Sequence, residues 1–438
     1  MPPNIPKPLS DRRPWLAVAQ AYGRALWSRR PLPPGDLVDI GELERAHRTL
    51  LIDFAAQHGP IFKGLMERRL TVCVVGHALG RKLLKEHAGA MRAVSIRLES
   101  LFPHGFMRGM EGDTHRNYRK TLVRGVAALD MNTFAPRFDA VVADALLAHV
   151  NTLQSSGAAK TWDNTLGQIA SSAMITLFFG PQRGAAAHDR LIAAYHRLGP
   201  RGVVWNVTAR EADAYQALAA EVAALGAADA GGLLGILQAQ GPVDATMLGN
   251  LIYMVELGRY DLRGLLRWIS RYAADHSTPR DGSANTAAAT TATDDETLAA
   301  RAFVLEALRM DQSERLMREV LEDVVFEGWL IPRGSMVRVC MWEGHKNAQH
   351  FPQPFRFEPT RFRNATSETE TFSPFGLDHH HCPLAGPVVE IAMAFVRVLT
   401  RDFLVHGHGA EPAVRGPYHW EPSPRFEITL EHRPGALR

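Results

Sequence analysis

The middle of this 438-residue sequence is dominated by segments in which apolar residues recur every three to four positions. Five such segments, rich in Ala and Leu, are residues 138–153, 166–179, 190–198, 209–224 and 247–272. A period of 3.6 residues predicts α-helices. Runs typical of short strands lie on either side, at 61–63, 70–75, 324–326, 329–331 and 336–341. We therefore expect a mainly α fold with a small β-rich lobe assembled from both ends of the sequence.

Sequence composition also predicts the domain organisation. A proline-rich stretch separates an N-terminal extension, residues 1–35, from residues 36–438, which we expect to form a single domain. Residues 276–295 contain almost no large apolar side chain, so burial cannot offset the entropy of ordering them, and we expect a flexible insert there. The apolar stretch from Trp15 to Trp27 predicts an amphipathic helix that either packs on its own domain or touches a membrane surface. It resembles neither a signal peptide nor a membrane span, and a cytoplasmic protein is expected.

Charge balance and cysteine content exclude several classes of function. The 49 Lys and Arg residues against 46 Asp and Glu residues give a net charge of +3, which is too small and too evenly spread for a nucleic-acid-binding surface. The three cysteines, Cys73, Cys340 and Cys382, are widely spaced. This spacing excludes a disulfide scaffold and a thiolate-rich zinc site, and it indicates a reducing compartment.

The most informative segment is TFSPFGLDHHHCPLAGPVVEIAMAFVRVL, residues 371–399. Cys382 lies just before a predicted helix, where free backbone N–H groups and the helix dipole favour a thiolate. On these residues alone, Cys382 could be a nucleophile, a metal ligand or a buried cysteine without chemistry. A zinc site with His379–His381 is disfavoured because consecutive side chains diverge. A Cys–His nucleophile pair is also disfavoured, because adjacent residues rarely bring Nε2 to Sγ.

Three further motifs precede this segment. His115 and Arg119 lie four residues apart at a predicted helix start, and Glu306 and Arg309 lie three apart on one face of a later helix. Residues 359–362 read PTRF. Each motif is common by itself, but their order along the chain is informative.

Together with the cysteine loop, these motifs resemble those of the cytochrome P-450 superfamily of heme-thiolate enzymes. The family's HxxxR, ExxR and PxRF motifs match the three motifs in order, and its cysteine loop matches Phe375, His380 and Cys382. The resemblance implies that Cys382 is the axial ligand of heme b, where a thiolate favours O–O cleavage. Cys73 and Cys340 lie in apolar strand-like runs and are interpreted as core residues.

The resemblance also implies roles for charged residues. Heme propionates are anions that need cationic partners. Four residues match the family's propionate partners: His115, Arg119, Arg318 and His380. Glu306, Arg309 and Arg361 match its structural ion-pair triad, which would hold the cysteine loop rather than take part in the reaction.

Two departures concern the cysteine loop. Asp378 and Leu384 stand where the family usually has glycine. Asp tolerates a positive φ better than most residues, whereas Leu384 is expected to occupy space near the porphyrin. Pro387 is expected to delay or distort the last helix, predicted over 388–404.

The largest departure lies in the predicted central helix. Residues 257–261, LGRYD, align with the family's small-Gly-x-acid-Thr stretch, so the acid and alcohol that help to deliver protons are absent. Asp261 or Tyr260 could substitute, with Glu256 about one turn earlier. The alternative is that these charges form ordinary helix-face pairs, such as Glu256 with Arg259. Because charges in a buried apolar helix are costly, we favour proton delivery by Asp261, Tyr260 or Glu256 and binding of a substrate carboxylate by Arg259.

The resemblance implies a bacterial-type soluble monooxygenase of secondary metabolism. A ferredoxin with its reductase, or a similar donor, would supply electrons, and one atom of O2 would enter a largely apolar small substrate by hydroxylation or epoxidation. The apolar segment 91–110 resembles the loop over the distal pocket, with Phe102, Phe106 and Met107 as expected substrate contacts. The missing acid and alcohol also fit a peroxide-dependent peroxygenase or a heme-dependent dehydratase or isomerase. A non-catalytic heme-binding protein is a third interpretation.

Overall fold

A computed structural model describes most of the chain, namely residues 14–94, 107–110, 112–156, 161–198, 208–225, 231–277, 293–311, 316–363, 370–377, 381–409, 412–416 and 420–433. These ranges contain fourteen α-helices: α1 (Pro14–Ser28), α2 (Ile40–Ala46), α3 (Leu50–His58), α4 (His77–Glu86), α5 (Gly112–Ala127), α6 (Met131–Ser156), α7 (Trp162–Phe179), α8 (Ala186–Leu198), α9 (Ala209–Ala223), α10 (Leu233–Gln240), α11 (Ala245–Ser277), α12 (Thr293–Met310), α13 (Met341–Gly344) and α14 (Ala385–Asp402). The same ranges contain eleven β-strands: β1 (Ile61–Met66), β2 (Arg69–Val75), β3 (Met91–Ala93), β4 (Met317–Val320), β5 (Val324–Phe326), β6 (Trp329–Ile331), β7 (Met336–Cys340), β8 (Phe403–His408), β9 (Val414–Arg415), β10 (Trp420–Glu421) and β11 (Glu427–His432).

Five strands form the main sheet, in the order β1-β2-β7-β4-β3. The β1–β2 pair is an antiparallel hairpin, and β2 pairs with β7 in parallel, with Thr71 opposite Met336. Strand β4 is antiparallel to both β7 and β3. The other strands form the ribbons β5–β6, β8–β11 and β9–β10. The sheet therefore joins the two ends of the chain, as the sequence predicts.

The helical core surrounds α7 and α11. Every residue from Ile169 to Phe179 of α7 is buried, so this part of the helix has no solvent-exposed face. Gly258 of α11 lies against the terminal methyl group of Met174 in α7, so the two helices are in direct contact here. The predicted mainly α fold with a small β-rich lobe is confirmed.

The two ends of the predicted insert, residues 276–295, are helical. Helix α11 continues to Ser277, and α12 begins at Thr293. The last turn of α11 is held by packing, since the His276 ring contacts Phe357 edge-on with centroids 5.0 Å apart. Residues 278–292 lie outside the described part of the chain.

The start of the last helix also differs from the prediction. Helix α14 begins at Ala385, three residues after Cys382, rather than near residue 388. Pro387 is the third residue of α14, in the first turn, where a backbone N–H has no acceptor within the helix. Proline therefore costs no helical hydrogen bond at this position.

Candidate active site

Cys382 lies at the end of a loop that closes on itself before α14. Its backbone N–H donates to the carbonyl of Phe375 at 2.8 Å. Gly376 turns the chain inside this loop with φ of +97°, a conformation that favours glycine. The Cys382 side chain is half-buried and lies three residues before the first residue of α14, and a position before a helix N-terminus favours a thiolate.

A buried ion pair in α12 brings the three predicted triad residues together. Arg309 Nε lies 2.7 Å from Glu306 Oε2, and Arg309 Nη2 donates to Oε1 at 2.8 Å. Both side chains are 0% exposed. Arg361 Nε lies 3.5 Å from Glu306 Oε1. The carboxylate of Glu306 therefore faces two guanidinium groups.

The ion pair is connected to the cysteine loop through one histidine. Arg309 Nη1 donates to the backbone carbonyls of His345 at 3.0 Å and Pro354 at 2.8 Å. His345 Nε2 accepts the N–H of Ser373 at 3.3 Å. The His345 ring also packs on Phe372, with centroids 5.2 Å apart. Arg309 is thus linked through His345 to the segment that precedes the cysteine loop.

Helix α5 places positive charge beside Cys382. Arg119 Nη2 donates to the carbonyl of His381 at 2.7 Å. Burial lowers the pKa of Arg119, and the charge of Cys382 opposes this shift, so the two groups interact electrostatically. Burial, followed by the charges of Arg119 and Arg116, lowers the pKa of His115. Among the described residues, no carboxylate lies within ion-pair distance of Arg119.

Two other residues predicted around the cysteine are buried. Arg318 is buried in β4, where Nη1 donates to the carbonyl of Met317 at 2.8 Å. Leu384 is 4% exposed and packs into the helical core. His380 and Asp378 lie outside the described residues.

The charged side chains of α11 point in different directions. Glu256 and Arg259 form an ion pair, with Oε2 and Nη2 2.6 Å apart, and Arg259 Nη2 also donates to the carbonyl of Tyr195 in α8. Tyr260 donates its O–H to Glu421 Oε1 in β10 at 3.1 Å. Arg259 and Tyr260 are therefore directed towards α8 and β10.

A different face of α11 is incompletely covered by protein. Met254, Leu257 and Asp261 recur along one side of the helix and stay half-buried, whereas Leu251 and Val255 are 0% exposed. Met254 and Leu257 border the same core as Phe375 and Cys382. Of the four polar residues predicted in the central helix, only Asp261 lies on this open face.

Sequence reasoning missed the ion pairs on the opposite side of α11. Arg263 Nη1 lies 3.3 Å from Asp163 Oδ2 of α7. Arg267 Nη1 lies 3.6 Å from both Asp163 and Glu421. The spacing of residues 260, 263 and 267 along one helix side was the available signal. Their partners are far away in sequence, which helical spacing cannot reveal.

The predicted substrate loop, residues 91–110, is described only at its two ends, and its first residues form strand β3 (Met91–Ala93) rather than a loop. Met107 is buried, and its N–H donates to Asn250 Oδ1 of α11 at 2.7 Å. Phe102 and Phe106 lie outside the described residues. Asn250, which the sequence reasoning also missed, thus anchors the segment before α5 on the central helix.

The donor set fits the heme implied by the sequence resemblance. A thiolate-favouring cysteine can hold an iron, and the cation Arg119 lies beside it, where a propionate could be bound. Half-buried apolar groups border the core on the α11, loop and α14 sides: Met254, Leu257, Phe375, Val388 and Val389. Such a partly open apolar lining suits a flat, largely apolar cofactor.

Comparisons with known proteins agree with this geometry. The family model for cytochrome P-450 matches residues 298–387. An abscisic acid 8′-hydroxylase of Solanum lycopersicum is 43% identical over 81 residues, covering 18% of this chain and 17% of that protein. Abscisic acid 8′-hydroxylase 1 of Oryza sativa subsp. japonica is 46% identical over 66 residues, covering 15% and 14%. The aligned segments thus span only about one sixth of these relatives' length.

Solved structures match over most of the chain. A cyanobacterial cytochrome with bound retinoic acid has a TM-score of 0.68 at 20% identity, covering 92% of this chain and 100% of its own. A zebrafish cytochrome P-450 with progesterone has a TM-score of 0.67 at 17% identity, covering 88% and 99%. The fold of the described chain is similar to that of these solved cytochrome P-450 structures, and the sequence from α12 to the start of α14 matches the cytochrome P-450 family model.

Proposed function

We propose that the chain is a heme-thiolate monooxygenase that inserts one oxygen atom of O2 into a largely apolar small molecule, by hydroxylation or epoxidation. The observation that carries this proposal is the position of Cys382, half-buried before α14 and beside Arg119. When bound through a thiolate, heme supplies an iron whose electron density favours O–O cleavage.

Each predicted site residue has a proposed task. Cys382 holds the iron. Four cationic residues hold the propionates: His115, Arg119, Arg318 and His380. The Glu306–Arg309–Arg361 triad positions the cysteine loop through the Arg309 contact with the His345 carbonyl. Residues 36–438 form the heme-binding catalytic domain in this proposal, and residues 1–35 precede it.

Asp261 is the proposed proton carrier, because it lies on the open face of α11. Tyr260 and Glu256 were predicted for the same task, but their contacts with Glu421 and Arg259 favour a role in positioning α11. The carboxylate of Glu256 also neutralises the charge of Arg259, so Arg259 is poorly suited to bind a substrate carboxylate. We expect Asp261→Asn to slow product formation about 10- to 100-fold with substrate affinity nearly unchanged, because the lost interaction belongs to the catalytic step.

The control for this variant is Tyr260→Phe, which removes the O–H that is bonded to Glu421. We expect it to change product formation much less than Asp261→Asn. Equal rates for Asp261→Asn and the parent protein would contradict the proposed proton carrier.

The proposed electron donor is a ferredoxin with its reductase, and the proposed location is the cytoplasm. A peroxide-dependent peroxygenase, or a heme-dependent dehydratase or isomerase, is the second candidate, because Tyr260 and Asp261 replace the family's acid and alcohol. Turnover with NAD(P)H, ferredoxin and reductase supports the monooxygenase. Turnover with peroxide alone supports the peroxygenase, and conversion with neither supports the dehydratase or isomerase.

The comparisons suggest where a substrate search should begin. Similar proteins are named for abscisic acid and beta-amyrin, and similar structures hold retinoic acid and progesterone. We propose an apolar substrate of this general kind. Ligand-induced shifts in the heme spectrum, measured across a library that starts from these four compounds, test that choice.

A further inference from the structure

Helix α1 covers the domain with one side and presents an apolar side outwards. Val18 and Ala21 are each 5% exposed and face the protein. Trp15, Leu26 and Trp27 are 67%, 81% and 90% exposed. With 3.6 residues per turn, Trp27 points away from the buried side, whereas Trp15 and Leu26 lie at its edge. Trp15 lines a cavity together with Val18 and Leu65. The outward face is therefore an apolar surface that the described part of the protein does not cover.

This helix is firmly attached to the domain. Arg24 Nη1 lies 3.2 Å from Asp323 Oδ2. Directly after the helix, the carbonyl of Pro31 accepts the N–H of Leu330 at 2.8 Å, and the carbonyl of Pro33 accepts Lys63 Nζ at 2.8 Å. Contacts at the helix and beyond its end thus fix the direction in which the outward face points.

The segment around α1 is strongly basic. The first 30 residues contain six Lys and Arg residues and one Asp, although the whole chain has a net charge of only +3. Arg29 and Arg30 directly follow Trp27 and are exposed. Arg68 in the β1–β2 turn lines, together with Trp15, a cavity of about 420 Å³. Positive charge therefore borders the apolar face at both ends.

We propose that this face, formed by Trp15, Leu26 and Trp27 with Arg29 and Arg30, docks on an anionic lipid bilayer and lies in its interface without spanning it. Tryptophan prefers the headgroup region, leucine inserts among the acyl chains, and arginine attracts anionic lipids. No helix in the described ranges is long and apolar enough to cross a membrane.

The charges favour a lipid surface over a second copy of the chain. A two-fold contact through α1 would place the same basic surface on both sides of the interface. Like charges at an interface oppose association. An anionic bilayer neutralises them instead.

The test uses the full-length holoprotein and sedimentation with vesicles. Vesicles of phosphatidylcholine with about one third phosphatidylglycerol should bind the protein, and vesicles of phosphatidylcholine alone should bind it at least about tenfold more weakly. We expect the double variant Leu26→Glu with Trp27→Glu to lose about tenfold or more of its partitioning. We expect a similar loss for Arg29→Gln with Arg30→Gln, and only on the anionic vesicles.

Leu298→Glu is the matched control, since Leu298 is 48% exposed on α12 and lies outside this face. It should bind vesicles like the parent protein, and unchanged circular dichroism and heme spectra would show that all variants are folded. Absence of binding to anionic vesicles, or an equal loss in Leu298→Glu, would overturn the proposal. A dimer that Leu26→Glu with Trp27→Glu dissociates, measured by light scattering without vesicles, would also overturn it by identifying a self-interface.

Discussion

Replacing Glu306 by glutamine should reveal how much the buried ion pair contributes to stability. Glu306 accepts two hydrogen bonds from Arg309, at 2.7 and 2.8 Å, and one from the N–H of Glu358 at 2.8 Å. Glutamine keeps the shape but leaves the charge of Arg309 without its carboxylate at 0% exposure. Breaking such a buried pair costs about 3–5 kcal/mol. Because a typical domain has only about 5–15 kcal/mol of stability in total, the loss should be easy to measure.

The assay is urea unfolding followed by far-UV circular dichroism, and the free energy of unfolding is compared between variants. Glu42→Gln is the control, because Glu42 and Arg45 have the same i,i+3 spacing but side chains that are 64% and 58% exposed. An exposed pair contributes less than about 1 kcal/mol. Similar unfolding free energies for Glu306→Gln and the parent protein would refute the reasoning.

Two further predictions concern Arg119 and a buried histidine pair. Arg119→Gln should weaken heme retention about tenfold or more, whereas the control Arg116→Gln, at an exposed position in α5, should leave it unchanged. The rate of heme transfer to an acceptor protein measures retention in both variants. Equal transfer rates for the two variants would contradict the role of Arg119 as a propionate partner. The stacked rings of His77 and His345 are buried, and burial lowers the pKa of His77 from 6.5 to about 4 and that of His345 well below 6.5. As the pH falls, the unfolded chain protonates these two rings at a higher pH than the folded chain does. The contribution of the neutral rings to the free energy of unfolding is therefore present above about pH 6.5 and falls below it, by about 1.4 kcal/mol for each ring at pH 5.5. The difference in unfolding free energy between pH 7.5 and 5.5 should therefore shrink by about 1.4 kcal/mol in His77→Phe, and an unchanged difference would contradict the shifted pKa.

Much of the fold could be predicted because it depends on local patterns. The 3.6-residue period located the central helices, and the strand-like runs at both ends located the sheet. The start of α14 was predicted too late, because the rule against proline inside a helix does not apply to Pro387 in the first turn. The prediction placed His276 in the insert, but His276 belongs to α11 and packs on Phe357, a contact between residues that are far apart in sequence.

The candidate site, too, could be predicted from the sequence only where it depends on local spacing. The spacing of Glu306 and Arg309 indicated a pair, and the structure places both in full burial. The Tyr260 contact with Glu421 joins residues 161 positions apart, so no helical spacing could have revealed it. The side of α11 on which Asp261 lies became clear only from the burial of its neighbours, because helix phase is uncertain by about a residue from sequence alone.

The most direct test of the central claim is the spectrum of the reduced carbon monoxide complex. The purified protein should contain heme and show the red-shifted Soret band that thiolate ligation produces, and Cys382→Ser should lack this band. Cys340→Ser is the matched control, because Cys340 is buried in β7 and packs with Ile40 and Cys73 in a different cluster from Cys382. It should keep the band. A red-shifted band that persists in Cys382→Ser would contradict the assignment of Cys382 as the iron ligand.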